Sequence, residues 1–171
     1  MQFIPFLIVA IAAIADIIGC YAFNVQGWDE LYFWSYANAM YILWYSFPFI
    51  LGLAYYLLVE DLSEALFLAI GTLILFLFGL EDLFFYLFAP IVTKIVGIPP
   101  YPFTHNPFKA MPWLDWPKPM GIVQFLAGAE HNNLILLYFN VLIGIIVYYL
   151  FFFLMKKLEY KLTIDGFRIE I

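Results

Sequence analysis

Four apolar runs of membrane-spanning length dominate this sequence: Phe3 to Phe23, Ala39 to Val59, Ser63 to Pro90 and Asn133 to Met155. A helix needs about 20 predominantly apolar residues to cross the hydrocarbon core of a bilayer, and none of these runs shows the strict alternation of a lipid-facing barrel strand. The chain is therefore expected to be an all-α integral membrane protein, a bundle of four transmembrane helices. Composition agrees. With 66% hydrophobic and 12% charged residues and a mean hydropathy of +0.95, the chain has too little polar surface to face water. The first run has no basic segment ahead of its apolar core, so it reads as a retained span rather than a cleaved leader.

The segments between the runs complete the expected plan. Asn24 to Glu30 is polar, and its continuation to Tyr36 is rich in Trp and Tyr, as expected of a stretch resting at the membrane interface. Pro48 should kink the second span, and Pro90 should weaken or end the third. Glu60, Asp61 and Glu64 form a polar corner, where Ser63 and Glu64 are suited to cap the next helix. Residues 93–119 contain Pro99, Pro100, Pro102, Pro107, Pro112, Pro117 and Pro119, which predicts a proline-rich cap loop rather than a helix. The polar stretch Gly128 to Asn133 interrupts the last run and predicts a short re-entrant or lead-in helix before Glu130. Residues 1–157 form the transmembrane domain. The tail, 158–171, alternates around Asp165-Gly166 and predicts a small C-terminal β-hairpin.

Four spans place both termini on one side of the membrane. Lys156, Lys157, Lys161 and Arg168 flank the last span, against Lys94, Lys109 and Lys118 around the cap loop, and the positive-inside rule then puts both termini in the cytoplasm. The net charge of -6 says little about partners; with no basic stripe, no nucleic-acid partner is expected. The expected partners are membrane lipids, a lipophilic substrate, and further copies or subunits of a larger membrane complex. A single cysteine, Cys20, excludes an intrachain disulfide and a Cys-based zinc or iron-sulfur site.

Within this apolar chain the acids stand out, because an ionisable group inside a membrane span is costly and is by default a functional-site candidate. At 1.5 Å per residue, Asp16 lies about 22 Å up the first span, and Glu81 and Asp82 about 27 to 29 Å up the third. Glu130 and His131 lie about 36 to 39 Å above Lys156. The cap loop, with His105 and Asp115, joins the same end of the bundle. Glu81 and Glu130 should then face a common space beneath the cap loop.

Three chemistries fit such a set. As an acid/base site it would use Glu81 and Glu130 as the working carboxylates, with Asp82 and Asp16 in support. As a divalent metal site it would draw on His105, His131 and Asp115 together with Glu81 and Glu130, although no His-x-x-x-His or Glu-x-x-His spacing is present. As a conduction site the acids would relay protons or bind a cation. Structural roles compete with all three. Glu81 and Asp82 are candidates to pair with Lys94 or a partner subunit, His105 reads as a surface loop residue, and Glu130-His131 reads as a helix cap.

The segment Glu81-Asp82-Leu83-Phe84-Phe85 resembles the paired-acid and paired-phenylalanine element of the membrane lycopene cyclase domains. Trp28-Asp29 followed by Trp34-Ser35-Tyr36 is similar to another part of that family's pattern. The chain departs from the family in two places: the whole run Ala39 to Val59 stands where a short connection belongs, and Gly79-Leu80 stands where a proline precedes the acids. The resemblance implies isoprenoid chemistry, in which a buried carboxylic acid supplies a proton and aromatic faces stabilise a passing cation.

Overall fold

A computed structural model describes residues 2–22, 30–96, 123, 126–128 and 134–164. Five helices account for most of them: α1 (Ile4–Ala22), α2 (Glu30–Val59), α3 (Leu62–Leu77), α4 (Leu80–Val96) and α5 (Leu134–Ile164). Two segments, Ile42–Val59 and Ile135–Leu158, are long and apolar enough to cross a membrane, and α3 with α4 makes a third if the bent pair is one span. Of the four expected spans, two or three are supported among the described residues. The apolar stretch of α1, Ile4–Gly19, rises only about 24 Å at 1.5 Å per residue, short of a hydrocarbon core of about 30 Å.

The bundle is built from antiparallel neighbours. Trp44 of α2 stacks on Phe76 of α3 at 6.2 Å, while at the other end Tyr55 donates a 2.5 Å hydrogen bond to Glu64. Between them Gly52 brings α2 onto Ala65 and Ala69, so closely that a β-carbon there would lie 2.8 Å from that of Ala69. The corner joining the two helices has Glu60 at φ 60 and Asp61 as the cap of α3, its side chain accepting from the backbone N–H of Glu64 at 2.8 Å. Helix α5 runs back along α3: Gly144 meets Phe78, Tyr148 meets Gly71, and Phe151 stacks on Phe67. Tyr148 is fully buried and donates a 2.5 Å hydrogen bond to the carbonyl of Gln2, which ties α5 to the start of α1. Helix α1 packs along α4.

Three expectations change here. The third run is not one straight helix, because α3 stops at Leu77 and α4 leaves at 72° to it. Gly79, at φ +77, adopts the left-handed conformation that ends helices, and its N–H bonds the Phe76 carbonyl at 2.9 Å. Pro90 does not end α4, which continues to Val96. Its place beyond the first turn costs the hydrogen bond to the Tyr86 carbonyl without removing the helix. The β-hairpin is not formed as expected: Lys161-Leu162-Thr163-Ile164, its first strand, is the end of α5, and no strand occurs among the described residues. From Met155 to Ile164 the chain meets neither Gly nor Pro, so the helix that began at Leu134 propagates through a segment too short to pair as a strand by itself. The second half of the hairpin and most of the cap loop and lead-in helix lie outside the described residues.

Candidate functional site

The elbow between α3 and α4 positions the acids. After Gly79 reverses the backbone, its carbonyl accepts from the N–H of Leu83 and α4 begins, with Glu81 and Asp82 in its first turn. Unpaired N–H groups and the helix dipole at that terminus favour negative charge. The pair therefore lies at a helix start inside the bundle rather than in the middle of a straight span. This also corrects the depth reckoned for an unbroken helix: the acids sit at the top of α3, about 24 Å from the corner at Asp61, and the chain then turns aside.

Glu81 is nine-tenths buried and its Oε1 has no hydrogen-bond partner. Asp82 is half-buried and accepts from its own backbone N–H. Asp16, half-buried on α1, lies within electrostatic reach of both. The structure thus brings together three of the four carboxylates expected in an acid/base role. Glu130, the fourth, lies outside the described residues, as do His131, His105 and Asp115. Among the described residues no group of three or more His, Cys, Asp and Glu side chains is arranged to hold a metal ion. Lys94 is in the last turn of α4 and Glu81 in the first, about 20 Å apart along the axis, so the proposed intrahelical pair does not form.

Aromatic and aliphatic groups enclose the acids. Phe85 and Tyr86 are buried, with ring centroids 5.7 Å apart in a T-shaped arrangement, and they join Leu80, Leu137 and Val141 in the main core. Leu137 Cδ1 and Asp82 Oδ2 both lie within 3.5 Å of the point where a β-carbon on Gly79 would be. Helix α5 therefore forms one wall of the elbow. Its fully buried Asn140, one turn beyond Leu137, accepts at 2.7 Å from the backbone N–H of Val123.

Helix α2 contributes two residues that the sequence did not single out. Tyr45 lies close enough to Asp82 and Glu81 for both charges to act on its hydroxyl. Its neighbour Trp44 holds its Nε1 in a closed, apolar position with no hydrogen-bond partner. One tyrosine among 13 and one tryptophan among five gave no signal in the sequence. Asn140 did give one, as a lone amide within an apolar run.

No family model matches this chain, and no curated protein or solved structure is similar to it. The likeness to the lycopene cyclase domains rests on its two short segments alone.

A buried carboxyl group with one oxygen unpartnered, two further carboxylates nearby and a phenol on α2 are groups of the kind that can exchange protons in a water-poor space. Adjacent positions on a helix point about 100° apart, and the pair divides accordingly: Glu81 faces inward and Asp82 is partly open.

Proposed function

We propose that the protein is a membrane-embedded enzyme that acts on a lipid or isoprenoid by carboxylate acid/base chemistry at the α3–α4 elbow. Glu81 is the group that exchanges a proton with the substrate, and Asp82 and Asp16 hold the electrostatic environment that sets when it does so. The observation that carries this reading is Glu81 itself, nine-tenths buried with Oε1 unpartnered. Leaving a buried polar atom without a partner costs about 1–3 kcal/mol, and a substrate that supplied the missing hydrogen bond would offset that cost. In this reading the whole of α1, 19 residues rising about 28 Å, adds a fourth crossing to α2, the bent pair and α5, so that both termini face the cytoplasm with Lys156 and Lys157.

The test is to reconstitute the purified protein and its Glu81→Gln variant in vesicles of total membrane lipid, with and without added polyprenols, and to compare the lipid profiles by mass spectrometry. A product formed by the unmodified protein and lost in the variant supports the proposal. Identical profiles from both would sink it.

A second reading has its own observation. Only 11% of Ile42–Val59 and 28% of Ile135–Leu158 is buried within the chain, which leaves apolar faces for other subunits to cover. A small non-catalytic subunit would co-purify with partners in mild detergent, whereas the enzyme proposed above would be extracted as a chain of one kind.

A further inference from the structure

Glu81 and Asp82 are consecutive in the first turn of α4, yet the fold treats them differently. Glu81 is nine-tenths buried, whereas the next three residues, Asp82, Leu83 and Phe84, are half-buried. The elbow is therefore closed on the Glu81 side and partly open one residue further on. Glu81 Oε1 is enclosed and has no hydrogen-bond partner among the described residues. Leu80 before it, Phe85 one turn on and Leu137, which borders Gly79, are all buried, and their side chains neither donate nor accept.

The charges around this oxygen decide which polar head it can meet. A phosphate or carboxylate head would come up against the acid pair, and the anion that a helix start attracts is already supplied there by Glu81 and Asp82 themselves. Among the described residues the lysines are remote: Lys94 lies about 20 Å along α4 from Glu81, and Lys156 and Lys157 about 28 Å along α5 from Leu137. An ammonium head donates but cannot accept, so it suits a carboxylate and is stranded beside a carboxylic acid. A hydroxyl does both with a single atom. It donates to Oε1 when Glu81 is ionised and accepts from Glu81 when the acid carries its proton, and a group that exchanges a proton needs a partner in both states.

We infer that the elbow takes a lipid alcohol: the polar end of the substrate is an uncharged hydroxyl that comes in on the Asp82 side and hydrogen-bonds to Glu81 Oε1. This rests on the acid/base reading of Glu81 and adds the class of head group on which the acid works. Asp82, on the partly open side, turns anionic heads away.

The experiment uses the full chain in nanodiscs and follows the displacement of tritiated geranylgeraniol by three probes with one common tail: unlabelled geranylgeraniol, geranylgeranyl phosphate and geranylgeranylamine. Because the tail is shared, any difference reports the head. The alcohol should compete at about one-tenth of the membrane mole fraction that the phosphate or the amine requires, the scale of one satisfied buried hydrogen bond. Glu81→Leu should level the alcohol with the amine. Asp82→Asn, which removes a charge from the partly open side, should narrow the gap between alcohol and phosphate, and it keeps the idea testable if Glu81→Leu does not fold. No saturable displacement, a phosphate or amine that competes as well as the alcohol, or a preference that survives Glu81→Leu overturns the inference. An alcohol preference lost in Glu81→Leu, with no lipid turnover by the unmodified protein, removes the catalytic reading and leaves the hydroxyl site standing. Turnover with no preference among the three heads does the reverse.

Discussion

Phe78 packs its side chain against the backbone of Gly144: the β-carbon of Phe78 lies closer than any van der Waals contact to the point where a side chain on Gly144 would begin. The obstacle is the root of a side chain rather than its flexible tip, so a methyl group at 144 has nowhere to go unless α5 and the end of α3 separate. Gly144→Ala should destabilise the protein by about 1–3 kcal/mol, the usual cost of overpacking a close contact. Thermal unfolding in a single detergent would show this as a clear fall in Tm. Leu150→Ala, on the exposed face of the same helix, should change it little.

Gly79 sets the elbow by conformation. Its φ of +77 costs an alanine roughly 1–2 kcal/mol, and the added methyl would also press on Leu137 Cδ1 at 2.9 Å. Gly79→Ala should lower Tm and, by shifting the first turn of α4, should also reduce any activity by more than the loss of folded protein explains. Gly128→Ala shares the positive φ but meets nothing within 4 Å, so it serves as the control and should spare activity. If the two variants proved alike in both measurements, the elbow would not be what aims the acids.

Glu81→Gln separates a functional acid from a structural one. An amide costs less to bury than a carboxylate, and Oε1 makes no bond that the change would break. Thermal stability should hold or rise while lipid conversion disappears, the pattern of a site kept for function at the expense of stability. A drop in Tm comparable to that of Gly144→Ala would identify Glu81 as a packing residue.

Asn140 fastens Val123 to the second turn of α5. Asn140→Leu would remove the partner of the part-buried Val123 N–H, at a cost of about 1 kcal/mol. Hydrogen exchange should read this as faster deuterium uptake in the peptide that contains Val123. Asn140→Asp keeps an acceptor oxygen and should lose less protection than Asn140→Leu. Unchanged uptake in both would mean that other contacts hold the segment.

Helix positions were legible in the sequence because the apolar runs are long: α1 and α5 start within two residues of Phe3 and Asn133, and α2 and α3 end or begin at the polar corner around Glu60 and Asp61. The break at Gly79 was not, since a single glycine in a helical pattern usually costs about 1 kcal/mol without stopping the helix. What distinguishes the stop from a tolerated glycine is the backbone of Gly79 at φ +77, which a sequence does not display. Asp165-Gly166 misled in the opposite way: a strong local turn signal implied a strand before it, while the helix arriving from Leu134 set the conformation as far as Ile164. Of the site, the carboxylates were visible by their charge. Tyr45 was not, because its role depends on which face of α2 meets the elbow.

The hydrogen bond from Tyr148 to the carbonyl of Gln2 joins residues 146 positions apart. Helix α1 is made before α5, so the Gln2 carbonyl gains this partner only after α3 and α4, on which α1 packs, have already been made. The tie is thus a late one: it locks the start of α1 onto a bundle whose α1–α4 face can pack without it.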